Sequence, residues 1–269
     1  MDRGALASPL VDVTKAISPA VNQMRVLHLL RTQGALSRAD IARQTNLTKA
    51  TASRIISEFV ARNLVREVGV GSLSRGRRPI LYEFNTTSAL ALGVEVRQHQ
   101  CQAVVTELDA TPLRSYAVPL NDTRVATVLE ALEGLVATVH HDFSHRLVGI
   151  GLGIPGIYDD QRQAVVLAEH LEWENVELAS LIRARIPLDV CIVNRANAAA
   201  LGEKWYGAGR GRDNLVFINI GSGIKAGLVV RGALYLGANG SAGEIGHVTV
   251  VPDGPVCVCG KRGCLEALA

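Results

Sequence analysis

Gly243-Glu244-Ile245-Gly246-His247 runs through Val248-Thr249-Val250-Val251-Pro252-Asp253-Gly254-Pro255-Val256 into Cys257-Val258-Cys259-Gly260-Lys261-Arg262-Gly263-Cys264-Leu265-Glu266. Three of the five cysteines in the chain fall within eight positions here, and one histidine precedes them. Three thiolates and one imidazole complete the closed tetrahedral shell of a structural Zn2+. The spacing therefore predicts a zinc site made of His247, Cys257, Cys259 and Cys264. The other two cysteines, Cys101 and Cys191, stand in apolar surroundings and read as inert core thiols.

Working outward, 269 residues suffice for two ordinary domains, and 48% hydrophobic with 20% charged residues is the composition of a soluble globular chain. No window approaches the roughly 18 unbroken apolar residues of a membrane span, and the N-terminus lacks an apolar signal core. A cytoplasmic protein is expected, with no membrane partner, and in that reducing compartment clustered cysteines favour metal over disulfides. The net charge of +3 is unevenly spread. Residues 1–84 hold 13 Lys and Arg against 6 Asp and Glu, a surplus of 7, which leaves 15 against 19 for the rest. A basic module joined to a mildly acidic one suits an anionic polymer at one end and a different ligand at the other.

The basic module has the pattern of a winged helix-turn-helix. Residues 1–18 lack periodicity and read as a flexible arm, and the DNA-binding domain is expected over 19–84. Val21, Met24, Leu27 and Leu30 recur at spacings of three along Ala20 to Arg31, which predicts one buried helical face. Gly34 ends that helix. Ser37-Arg38-Ala39-Asp40 is a capping-box variant that opens a short second helix, followed by a turn at Gln44-Thr45-Asn46. The segment Leu47 to Val60 then points Ile55, Ile56, Phe59 and Val60 inward, while its first turns are small, hydroxylic and basic. Small residues let a helix sink into the major groove, where Thr48, Lys49, Thr51 and Arg54 reach phosphates or base edges.

Two strands, Leu64 to Gly69 and Ile80 to Phe84, form a wing whose tip is Arg75-Gly76-Arg77-Arg78-Pro79. Such a compact cationic tip suits a narrow, negative minor groove, and Arg75, Arg77 and Arg78 are its candidate contacts; a solvated basic loop is the alternative. After Asn85 the pattern turns to buried strands alternating with helices: strands at 90–96, 102–106, 147–153, 188–193 and 216–220, and a helix from Val125 to His140. That alternation predicts an α/β domain over 85–269 with strand ends open to ligands. His140, His141 and His145 lack a carboxylate companion and read as an ordinary surface turn.

Four segments resemble the ROK family of repressors and sugar kinases, built on an actin-like, ribonuclease-H-like fold. They are Gly76-Arg77-Arg78-Pro79 at the end of the winged helix, Gly153-Ile154-Pro155-Gly156, the run from Asn194 to Glu203, and Gly243-Glu244-Ile245-Gly246-His247 leading into the cysteines and Glu266. The resemblance implies a first lobe at about 85–195 and a partial second lobe at 196–269, since family members continue well past the Cys-x-Glu segment. It implies sugar contacts from Asn194, Glu244, His247 and Glu266, with His247 binding zinc through its other ring nitrogen. It also implies a sugar-responsive transcriptional regulator, a repressor that binds a palindromic operator in double-stranded DNA as a dimer or larger homo-oligomer.

Two departures separate this sequence from the family's kinases. Their sugar-activating aspartate follows the asparagine that Asn194 matches, and Arg195 stands there instead. A guanidinium stays protonated at physiological pH and cannot take the hydroxyl proton. Their Asp-x-Gly-Gly-Thr phosphate loop is replaced by Glu95-Val96-Arg97-Gln98-His99, without the glycines that open the backbone to phosphate. The second glycine loop, Gly221-Ser222-Gly223-Ile224-Lys225-Ala226-Gly227, survives in part. No kinase activity is expected. Arg195 either favours a phosphorylated or acidic sugar or pairs with a neighbouring carboxylate. The rival readings are a sugar kinase fused to a DNA-binding module, and a DNA-binding remnant without ligand response.

Overall fold

The computed structural model describes residues 19–71, 78–143, 146–221 and 223–269. Its contacts divide between Ser88 and Ala89 into two compact units. The first contains α1 (Pro19–Gln33), β1 (Leu36–Ser37), α2 (Arg38–Thr45), α3 (Lys49–Ala61), β2 (Val65–Val70) and β3 (Ile80–Phe84). β1, β3 and β2 form a small antiparallel sheet in that order. Ser37 caps α2: its hydroxyl accepts from the Asp40 amide at 3.2 Å, and the Asp40 carboxylate accepts from the Ser37 amide at 3.4 Å. Asn46 closes the helix in the left-handed region, a conformation asparagine tolerates better than most residues.

The core of this unit is Val26, Leu30, Ile41, Ala52, Ile55, Ile56, Phe59, Val65 and Tyr82. It corrects two expectations. Val21 and Met24 are 45% and 71% exposed, because α1 turns Val26 and Leu30 inward and the opposite stripe outward. Val60 is also exposed, since Phe59 takes the inward direction and its neighbour lies about 100° round the helix. The wing ladder extends to Gly71, whose amide donates to the Pro79 carbonyl at 2.8 Å. Arg75 and Arg77 lie outside the described residues, as does the arm at 1–18; Arg78 is described and exposed.

The second unit begins with β4 (Leu90–Val96), β5 (Gln100–Glu107), β6 (Pro112–Pro119), α4 (Val125–Asp142) and β7 (Leu147–Ile154). β8 (Ile157–Asp159), β9 (Ala164–Ala168), β10 (Trp173–Val176), α5 (Leu178–Arg183) and β11 (Asp189–Asn194) follow. The main sheet runs β11-β7-β4-β5-β6, parallel across β11-β7-β4 and antiparallel across β4-β5-β6. This is the strand arrangement of a ribonuclease-H-like lobe. Alternation drives it: Leu90, Leu92, Val94 and Val96 are buried, and join Val128, Leu132, Leu135 and Val139 of α4 in one core. The short strands β8 to β10 form a separate antiparallel sheet that the alternation pattern did not reveal.

α6 (Arg195–Trp205) then leads to β12 (Leu215–Ile220), β13 (Ile224–Val230), β14 (Ala233–Leu234) and the short α7 (Leu265–Leu268). β12, β13 and β14 form an antiparallel sheet, and α6 packs on it. Cys101 is fully buried, and burial pushes its thiol up to about 11. Cys191 is exposed, contrary to the expectation of a core thiol, because β11 turns Ile192 inward and Cys191 to the opposite face of the sheet. His140 and His141 lie in the last turn of α4; contrary to the expectation of no carboxylate companion, exposed His141 has its Nδ1 3.2 Å from the carboxylate of the next residue, Asp142, while His145 is outside the described residues.

Candidate functional site

The His247–Cys264 segment folds back on itself. The Val250 amide donates to the Gly263 carbonyl at 2.8 Å, Thr249 pairs with Cys264, and Val256 pairs with Arg262. Gly263 makes the turn possible: its φ is +67°, and any side chain there would run into the Val251 carbonyl. This folding gathers His247, Cys257, Cys259 and Cys264 so that their ligand atoms all lie within 4.8 Å of one another. The Cys259 and Cys264 sulfurs are 3.7 Å apart, and the Cys257 sulfur is 3.5 Å from His247 Nδ1. A tetrahedral site with Zn–S near 2.3 Å and Zn–N near 2.0 Å has edges of about 3.8 and about 3.5 Å. The donor set and its spacing fit such an ion. Burial pushes the Cys264 thiol up to about 11, while the Lys261 backbone amide holds Cys259 below the ordinary thiol range.

Beside this cluster lies a small cavity of about 70 Å3. Asn194, Glu244, His247 and Glu266 all line it, together with Arg195 and Lys225. Each is set by a distinct local device. Asn194 caps α6, its side-chain oxygen accepting from the Ala196 amide at 2.8 Å and its amide donating to the Gly156 carbonyl at 2.7 Å. Gly243, at φ +88°, lies against the Ala226 carbonyl where no Cβ fits, and this contact aims Glu244. Glu266 accepts from the Ile224 amide at 2.7 Å. His247 presents Nδ1 to the cysteines, so that its other ring nitrogen remains for the cavity.

Arg195 does not stand alone in this cavity. Its guanidinium is 3.7 Å from Glu95, whose other oxygen takes Arg97 at 2.8 Å. Of the two alternatives for Arg195, the structure contains the pairing with a neighbouring carboxylate. Sequence reasoning passed over Lys225, a 9% exposed residue whose ammonium pairs closely with Glu244. The only signal available was a lysine inside a glycine loop. A wider, largely apolar groove of about 1120 Å3 runs along the other face of the main sheet past Ala91, Gly93, Val104 and Trp205, but it lacks a comparable convergence of polar groups.

In the first unit, Thr48, Lys49, Thr51 and Arg54 share the N-terminal half of α3. Thr48 caps the helix, its hydroxyl accepting from the Thr51 amide at 3.1 Å, and Lys49 is exposed. Arg54 is half exposed and paired with Glu58 at 2.5 Å; Glu58 also accepts from Gln23 of α1 at 3.0 Å. Arg38, which sequence reasoning missed, ties the unit together. Its guanidinium bonds the Ser53 and Ser57 hydroxyls at 2.6 and 3.1 Å and stacks 4.9 Å from the Tyr82 ring centre.

Residues 91–269 match the ROK family, and residues 17–72 match the MarR family. The chain belongs to the ROK family. It is 32% identical to the xylose repressor of Bacillus spizizenii over 257 residues, covering 93% of this chain and 65% of that protein. The crystal structure of a ROK family transcriptional regulator, a homologue of the E. coli MLC protein, superposes with a TM-score of 0.82 at 28% identity, over 93% of this chain and 64% of that one. A ROK family glucokinase from Streptomyces griseus, in complex with glucose and AMPPNP, superposes with a TM-score of 0.61 at 33% identity, over 66% of this chain and 56% of that one. The chain thus spans about 65% of the length of the curated relatives it matches. The fold is that of a winged helix-turn-helix joined to an actin-like ROK domain. None of the described helices is long and apolar enough to cross a membrane.

Proposed function

We propose that this ROK protein is a sugar-responsive DNA-binding transcriptional regulator, a repressor of carbohydrate genes. The observation that carries this reading is the presence, in one chain, of a winged helix with a basic α3 and of a cavity where Asn194, Glu244, His247 and Glu266 converge. Paired carboxylates, an amide and an imidazole match the adjacent donors and acceptors of a sugar. Thr48, Lys49, Thr51 and Arg54, with Arg75, Arg77 and Arg78 of the wing, supply the DNA contacts, on a palindromic operator bound by two copies of the chain. A structural zinc on His247, Cys257, Cys259 and Cys264 holds the loop that carries His247 and leads to Glu266.

The cavity of about 70 Å3 is well below the roughly 300 Å3 of a typical ligand site, so a sugar enters only if the lining residues separate. Binding that requires such a rearrangement is what allosteric control needs: a ligand shifts an equilibrium only by its differential affinity for the two states. Phosphoryl transfer is not part of this reading. Arg195 cannot serve as a general base, and Glu95-Val96-Arg97 stands where the resemblance to the family's kinases puts the first phosphate loop.

Operator binding followed by fluorescence anisotropy, with and without D-xylose, D-glucose or N-acetylglucosamine, tests the proposal. One of these sugars is expected to shift the operator dissociation constant. Turnover of ATP to ADP with any of them, abolished by changing Arg195, would instead establish the kinase reading.

A further inference from the structure

The small cavity also indicates what kind of sugar it accepts; this inference rests on the sugar-responsive reading above. Three carboxylates line it, Glu169, Glu244 and Glu266, against two cations, Arg195 and Lys225. Arg195 lines both this cavity and the wide groove, and lies 3.7 Å from Glu95, a carboxylate that it shares with Arg97. Lys225 is the cation committed to the small cavity. It is 9% exposed, and its ammonium is paired with Glu244.

We propose that Lys225 and Glu244 together bracket one hydroxyl of an uncharged sugar, and that this pair sets the ligand class of the site. An ammonium only donates and an ionised carboxylate only accepts, whereas a hydroxyl does both. A hydroxyl inserted between them satisfies each group and leaves neither charge bare. Any ligand that separated the pair without replacing both bonds would leave a buried charge uncompensated, which is strongly unfavourable. A phosphorylated or acidic sugar fares worse, since its negative charge enters beside three carboxylates with only two cations to meet it, both already paired with carboxylates. Lys225 is therefore a specificity-determining residue at the same site as Glu244.

Calorimetric titration of the whole chain with D-xylose, D-glucose, D-mannose and N-acetylglucosamine, alongside glucose 6-phosphate and glucuronate, provides the test. The neutral sugars are expected to bind and the anionic ones to bind at least tenfold more weakly. Single-deoxy analogues of the best sugar locate the bracketed hydroxyl on the wild-type protein without any variant: one analogue should lose roughly 10- to 100-fold, as expected for a bond to charged groups. The Lys225→Met variant should bind the parent sugar that much more weakly and no longer distinguish that analogue. Equal affinity of Lys225→Met and wild type, or tighter binding of the sugar phosphate, overturns the inference and leaves the sugar-responsive reading standing. Absence of binding by every sugar removes that reading, and the inference with it.

Discussion

Stripping metal from the His247–Cys264 cluster should lower the melting temperature of the second unit by an amount that can be worked out in advance. An ion that binds only the folded chain stabilises it by about 2.7 kcal/mol when present at 100 times its dissociation constant. Ala89–Ala269 is a unit of 181 residues. For that size one kcal/mol moves the melting temperature by about 2–4 °C, so the expected drop is about 5–11 °C. Residual binding of zinc by unfolded thiols makes this an upper figure. The assay is differential scanning calorimetry of freshly reduced protein with excess zinc and with chelator, beside elemental analysis and a Cys264→Ser variant that should lose the zinc response. The pH dependence has a definite sign. The Cys264 thiol is pushed up to about 11 in the metal-free fold and must lose its proton to bind, so zinc affinity should fall as pH falls. Without metal the sign reverses: the folded chain holds that proton more tightly than the unfolded chain, so stability is intact below about 9 and declines as pH rises towards 11. A protein shown to contain one zinc per chain, yet with a melting temperature indifferent to chelation, would refute this reasoning.

The remaining expectations concern individual side chains. Lys49→Ala should weaken operator binding and reduce the slope of log K against log salt by about 0.9, the value of one phosphate contact; an unchanged slope would remove Lys49 from the interface. Arg38→Ala should destabilise the winged helix by about 2–3 kcal/mol in urea melts, because the Ser53, Ser57 and Tyr82 contacts go together, while its salt slope stays that of wild type. A reduced slope would show instead that Arg38 touches DNA. Gly243→Ala should cost about 1–3 kcal/mol, through the left-handed backbone and the Ala226 carbonyl that it faces, and should lower sugar affinity by misplacing Glu244. A stability equal to wild type would mean the loop has slack that the contact with Ala226 argues against.

How far the sequence could be read depended on whether a feature was local. The Ser37–Asp40 capping box and the strands at 90–96 and 147–153 were legible because each is decided by neighbours a few residues apart. The inward face of α1 was legible only in part. Of the stripe through Val21, Met24, Leu27 and Leu30, Leu27 and Leu30 reach the core, while packing against Ile41, Ile55 and Phe59 brings in Val26 and leaves Val21 and Met24 exposed. Cys191 was misplaced for a similar reason, since alternation says that β11 has two faces but not which one the core covers.

By itself the sequence determined the donor types of the cluster, the permanent charge at position 195 and the charged side chains of Glu95 and Arg97, because chemistry of that kind belongs to the residue wherever it lies. Tertiary structure decided which groups meet. Glu95 comes from β4 and Arg195 from the start of α6, Lys225 from β13 and Glu244 from a loop 19 residues on, and their pairing is fixed by strand register and by the Gly243–Ala226 contact. Charges that are separate in the chain become partners only when folding brings them within a few ångströms. For a lysine as buried as Lys225 that proximity makes it half of an ion pair rather than a solvated cation.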